Sequence, residues 1–222
     1  MTARLMLVDD DPLVRSGLRL LLGGSSAFDV VAEAGNGREA VDLHRADPVD
    51  VVLMDLRMPV MDGIEATALL KREPPAPAVL VLTTFDADDY VVRALAVGAD
   101  GFLLKDTPPG GIVAAIERVL AGDPALSPSV TAALIKQVVH GHSDGPGADG
   151  RAAPAQQAVE TLTPRERDVA ISLARGASNA EIAAELYLSV PTVKAHISRI
   201  FTKLDATNRV QVAIAMHDAG LV

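Results

Sequence analysis

The chain has no cysteine and no tryptophan, and aromatic residues make up only 3% of it. Without thiols, a disulfide scaffold, a thiolate metal site and a cysteine nucleophile are all excluded. There is also no uninterrupted apolar run of the length a membrane-spanning helix requires, roughly 20 residues. The short apolar run before Asp9 cannot serve as a signal-peptide core either. The expectation is a cytoplasmic protein without a membrane segment.

What the chain does have is the balance of a globular protein: 222 residues, 49% hydrophobic and 22% charged. That length suits one large domain or two ordinary ones. The net charge of −9 is unevenly spread. Through Ala125 there are 20 acidic and 11 basic residues, and from Leu126 onward 9 of each. The acidity therefore belongs to the first part, and nucleic-acid binding stays open for the neutral second part.

Up to about Ala121, short apolar runs alternate with stretches of helical periodicity. Strands are expected at 4–8, 29–34, 50–54, 78–83 and 101–104. Helices are expected near 12–22, 37–46, 63–72, 87–97 and 109–121. Five strand–helix units predict a doubly wound, five-stranded parallel sheet, flavodoxin-like in type, covered by helices on both faces. The segment 128–140 has helical spacing. From Gly141 to Glu160, glycine, proline and small polar residues predict a flexible linker. Beyond it everything reads helical. Thr163-Pro164-Arg165-Glu166 and Ser178-Asn179-Ala180-Glu181 have capping-box spacing, and Ser189 caps a third helix running to about Leu204. A fourth helix is expected from Arg209 to Ala219, so a small all-α domain with a helix-turn-helix layout follows the sheet. The expected division is 1–125, a connecting helix and linker at 126–157, and 158–222.

The polar residues that end the strands carry the chemistry. Asp9 and Asp10 close the first strand, Asp55 the third, Thr83 the fourth and Lys105 the fifth. In a parallel sheet all strand C-termini lie on one edge, where ligands bind. Three carboxylates gathered there suit a hard divalent cation such as Mg2+, and are costly together without one. A carboxylate can also attack phosphorus, with Lys105 offset against the phosphoryl charge and Thr83 supplying a hydroxyl.

Leu7-Val8-Asp9-Asp10, Met54-Asp55-Leu56-Arg57-Met58-Pro59, Asp62-Gly63, Thr83 and Gly101-Phe102-Leu103-Leu104-Lys105 together resemble the receiver domain of bacterial two-component response regulators, over about 1–121. The resemblance implies that Asp55 accepts a phosphoryl group from a sensor histidine kinase. It implies that Asp9, Asp10, Asp55 and the backbone carbonyl of Arg57 hold Mg2+, and that Thr83 and Phe102 rearrange as the switch. Arg57 and Phe85, each two residues past a site residue, imply by their bulk a slow loss of the phosphoryl group.

In the helical part, Val193, Ile197, Ile200 and Leu204 form one apolar stripe. The opposite face carries Lys194, Ala195, Ser198, Arg199 and Thr202, small and basic residues suited to a major groove. Lys203 and Arg209 are expected near backbone phosphates. Leu162-Thr163-Pro164-Arg165-Glu166-Arg167, Ser178-Asn179-Ala180-Glu181-Ile182-Ala183 and Thr192-Val193-Lys194-Ala195-His196-Ile197 resemble the LuxR-type helix-turn-helix, over about 158–220. With a receiver in front, the whole chain resembles response regulators of the NarL/FixJ class. That resemblance implies promoter DNA contacts from Thr192, Lys194, Ala195, Ser198, Arg199 and Lys203. It also implies a homodimer when phosphorylated, joined through the last helix around Val210 and Ile214.

Two other readings are weaker. A phosphohydrolase would need a second acid on the leaving-group side and a substrate cap, and neither is evident, so no small-molecule turnover is expected. A regulator indifferent to phosphorylation would not need the full acidic set.

Overall fold

The computed structural model describes residues 2–84, 88–126 and 148–222. The helix expected at 128–140 and Phe85 lie outside the described residues. The chain divides into two compact units, Met1–Ala133 and Leu134–Val222.

In the first unit, β1 (Ala3–Val8), β2 (Phe28–Ala34), β3 (Val51–Met54), β4 (Ala78–Thr83) and β5 (Gly101–Leu104) alternate with α1 (Pro12–Leu22), α2 (Gly37–Ala46), α3 (Gly63–Leu70), α4 (Asp88–Ala96) and α5 (Pro109–Ala121). All strand pairs are parallel, in the order β2-β1-β3-β4-β5, and a two-residue β6 (Ala125–Leu126) adds a sixth strand beside β5. The expectation of five strands missed β6. Two residues carry no alternation to read, and Gly122-Asp123-Pro124 reads as a turn. Its place is nonetheless written into β5: a β-carbon on Gly101 would lie 2.6 Å from the Ala125 carbonyl oxygen, so only glycine admits the neighbour that closely.

Every residue of β3 is buried, because both faces of the sheet are covered. Leu5, Leu7, Leu53 and Leu80 pack on one face with Leu18, Leu22 and Ile116. Met6, Val8, Val52 and Met54 pack on the other with Val41, Ala66 and Leu70. Alternate residues of one strand thus feed two cores, which is the period of two expected of a strand. The helix starts expected at 12, 37 and 63 are observed, and Asp11, Asn36 and Asp62 each accept a backbone N–H in the first turn of α1, α2 and α3.

The second unit comprises α6 (Ala148–Glu160), α7 (Pro164–Ala174), α8 (Asn179–Glu185), α9 (Val190–Leu204) and α10 (Arg209–Asp218). The flexible linker expected across 141–160 is corrected here, because its second half is helix α6. Glycines and Pro154 suggested a loop, but Ala152, Ala153, Ala155, Gln156, Gln157 and Ala158 are strong helix formers. Val159 then anchors the helix by its full burial among Leu162, Val169, Val212 and Met216. Both expected capping boxes are present, at Thr163/Glu166 and Ser178/Glu181. The stripe on α9 points inward as expected, with Val193, Ile197 and Ile200 buried and Leu204 packed against the same core.

Candidate functional site

The strand order reverses direction between β1 and β3, and this switch point is where open α/β sheets bind ligands. The register sets the residues beyond it. Val8 pairs with Met54, and the Asp55 N–H donates to the Val8 carbonyl at 2.9 Å, which brings Asp9 and Asp55 side by side. On the other flank, Thr83 pairs with Leu104, and the Lys105 N–H donates to the Thr83 carbonyl at 2.8 Å. The ladder therefore brings the expected residues to one edge.

Asp9, Asp10 and Asp55 each offer a carboxylate oxygen within 4.8 Å of the others. Asp9 and Asp55 are buried and Asp10 is exposed at the rim. The Lys105 ammonium sits 2.5 Å from Asp9 Oδ2 and 3.0 Å from Asp55 Oδ2. Burial works against the ammonium, but the bonds to Asp9 and Asp55 outweigh it and hold Lys105 above its ordinary pKa, firmly charged. The other oxygen of Asp55 accepts the Leu56 N–H at 2.7 Å, fixing the carboxylate plane. Asp9 Oδ1 accepts the Asp11 N–H at 3.0 Å. Thr83 and Phe102 are both fully enclosed, on neighbouring strands. The donor set fits a hard cation: two buried carboxylates and one solvent-facing carboxylate, all within reach of one ion.

Three supporting residues were given no role in the sequence reading. Arg15 donates to the Asp9 carbonyl at 2.6 Å, tying α1 to the acidic loop; its place one turn into the helix after the aspartates was the available signal. Gly63 sits so close to Asp55 that no side chain fits there. Tyr90 of α4 lies under the Arg57 guanidinium, 5.2 Å from ring centre to charge, and nothing in the spacing announces that pair.

In the helical unit, Thr192, Lys194, Ala195, Ser198, Arg199 and Lys203 are all exposed along α9. Lys203 is nevertheless engaged within the fold. Its ammonium sits 2.6 Å from Glu166 Oε2 and donates to the Thr161 carbonyl at 3.0 Å. Arg209 likewise donates to the Ala177 carbonyl at 2.6 Å. On α10, Ile214 is exposed and Val210 half-buried, one turn apart.

The model of the response regulator receiver domain matches residues 5–117, and that of the luxR family of bacterial regulatory proteins matches residues 160–216. The transcriptional regulatory protein LiaR of Bacillus subtilis is 37% identical over 219 residues, 99% of each chain. The response regulator VraR of Staphylococcus aureus is 35% identical over 223 residues, 100% of each chain. Among solved structures, a LuxR-family two-component response regulator from an Aurantimonas species superposes with a TM-score of 0.59 at 39% identity, over 63% of this chain and 99% of that one. The chain belongs to the two-component response regulators of the NarL/FixJ class, with a receiver domain and a LuxR-type helix-turn-helix DNA-binding domain. No described helix is long and apolar enough to cross a membrane.

Proposed function

We propose that this regulator is controlled by phosphorylation of Asp55, with 1–125 as the phosphoacceptor domain, 126–157 as the connection and 158–222 as the DNA-binding domain. The observation that carries the reading is the set of charges at the switch point: three carboxylates within reach of one ion, with Lys105 on two of them.

In the proposed step an Asp55 oxygen attacks the phosphorus of a phosphohistidine on a sensor kinase. A P–O bond forms, the P–N bond breaks, and the electron pair returns to the imidazole. Asp9, Asp10, Asp55 and the Arg57 carbonyl would hold Mg2+, which would supply positive charge to neutralise the phosphoryl oxygens. Lys105 moves from pairing two carboxylates to pairing the new phosphoryl group, and Thr83 hydrogen-bonds the same group. Phe102, on the neighbouring strand β5 opposite Val81, rearranges with Thr83 and changes the surface around α4 and β5. Asp55 is a stoichiometric acceptor here, so no turnover of a small molecule is expected.

The phosphorylated chain pairs through α10, around Val210 and Ile214, and presents two copies of Thr192, Lys194, Ala195, Ser198 and Arg199 to a two-fold related promoter site, while Lys203 stays paired with Glu166. The protein acts in the cytoplasm. Selection of genomic fragments by wild type and Asp55→Asn, each with Mg2+ and a small phosphodonor, tests this. Paired sites enriched by the wild type alone are expected. Equal enrichment by both removes Asp55 from control of DNA binding.

A further inference from the structure

The recognition helix α9 begins in an unusual way. Tyr187, in the turn just before it, is 95% exposed and holds a left-handed backbone at φ 55°. That conformation is costly for a bulky residue, yet here it projects an aromatic ring into solvent. Val190 is 38% exposed and Pro191 is exposed as well. Three apolar side chains therefore lie uncovered around the start of the helix.

A helix start usually offers its free N–H groups to an anion such as a DNA phosphate. This one has little to offer. Pro191 has no N–H, that of Thr192 donates to Ser189 Oγ at 3.2 Å, and that of Val193 to the Ser189 carbonyl at 3.0 Å. The Ser189 and Thr192 hydroxyls are bonded to each other at 2.7 Å. What this tip presents is carbon. It is continuous with the exposed α9 face of Lys194, Ala195 and Ser198, so the partner that meets that face also meets the tip. In the major groove the one apolar group on a base edge is the thymine 5-methyl.

We propose that Tyr187, Val190 and Pro191 form an apolar tip that reads thymine methyl groups at the edge of each half-site. The proposal rests on the DNA-binding reading above and adds a specificity rule to it. The fragments selected by the phosphodonor-treated protein supply the site. Duplexes are then made in which each thymine of the half-site is replaced in turn by deoxyuridine, which lacks only that methyl, and binding of the full-length chain is measured by fluorescence anisotropy. At one or two positions the wild type is expected to lose about fourfold in affinity per methyl removed. Val190→Ala is expected to bind both duplexes equally at one of those positions while keeping its preferences elsewhere. Tyr187→Asn, which suits the left-handed backbone, is expected to raise the melting temperature while weakening DNA binding, a combination that a purely structural role for Tyr187 would not produce. A selected half-site without thymine, a wild type indifferent to every replacement, or a Val190→Ala protein with unchanged methyl preference would each overturn the proposal. If selection enriches no fragment at all, the DNA-binding reading fails and takes the tip with it, an outcome distinct from a site that is bound without methyl preference.

Discussion

A β-carbon at position 63 would lie 2.0 Å from the Asp55 carbonyl oxygen and 2.9 Å from Leu56 Cα. Backbone atoms on both sides of that contact have no rotamer to change, so any side chain there displaces the loop that carries Asp55. Gly63→Ala is expected to cost about 3 kcal/mol of stability, the upper range for overpacking. It should also lower phosphoryl capture from a small phosphodonor; thermal unfolding and a phosphate-affinity gel check the two effects separately. Three positions earlier the same loop holds the opposite case. Val60 is 84% exposed with φ 70°, a left-handed backbone that a β-branched residue tolerates poorly. No packing offsets that strain, so Val60→Gly is expected to stabilise the protein by about 1 kcal/mol, read from the urea midpoint at unchanged slope.

Between elements, the tie from α9 back to α7 is the Lys203–Glu166 pair. The Lys203 ammonium, the Thr163 N–H and the Thr163 hydroxyl together outweigh burial and hold Glu166 at a pKa of about 2, down from 4.5. A carboxylate depressed in the folded state stabilises it fully above the unfolded pKa, and that contribution fades as pH falls from about 4.5 toward 2. With Lys203 partly exposed and therefore screened, the contribution is on the order of 2 kcal/mol at neutral pH. Glu166→Gln keeps the size of the side chain and removes the charge. Its stability deficit against wild type is expected to be full at pH 6 and to close progressively as pH falls from about 4.5 toward 2, as followed by urea unfolding across that range. The same pair shows where the sequence was legible. Capping residues act over three or four positions, so Thr163, Ser178 and Ser189 announced their helices in advance. The acidic crevice was legible too, because strand ends in a parallel sheet must share an edge. Contacts set by tertiary packing were not. Lys203 reads as a surface cation until α7 brings Glu166 to it, 37 residues away in sequence. Arg15 reads as an exposed helix charge until it meets the Asp9 carbonyl. Helix α6 was hidden for a related reason: its glycines and proline speak for a loop locally, and the burial of Val159 that overrides them belongs to the whole unit.

For the molecule as a whole, the distribution of cations limits what a single DNA-binding domain can do. Between 158 and 222 there are seven arginines and lysines. Four of them donate to carbonyl groups of their own fold: Arg165 to Leu186, Arg167 to Val159, Lys203 to Thr161 and Arg209 to Ala177. Arg175, Lys194 and Arg199 are exposed, and among the described residues no such internal bond holds them. Counterion release by three phosphate contacts gives a slope of log affinity against log salt of about −3, and six contacts from a dimer give about −5. If Lys203 and Arg209 also met phosphates, the dimer slope would steepen to about −9. A domain with so little charge gains specific affinity mainly by acting in pairs, where the second half-site binds at the effective concentration set by the first. That is the physical reason a phosphorylation-driven dimer suits this chain, which carries its acidity in the receiver and none in excess beyond it. Binding of the phosphodonor-treated protein to its selected site, titrated over a range of salt concentrations, is therefore expected to give a slope near −5. Arg199→Ala should make that slope shallower by about 2 in the dimer, one contact per protomer. Lys203→Met should leave the slope where it is while lowering the stability of the helical unit, since its charge serves Glu166. A slope that falls equally for both substitutions would return Lys203 to the DNA surface and make its bond to Glu166 a resting-state contact.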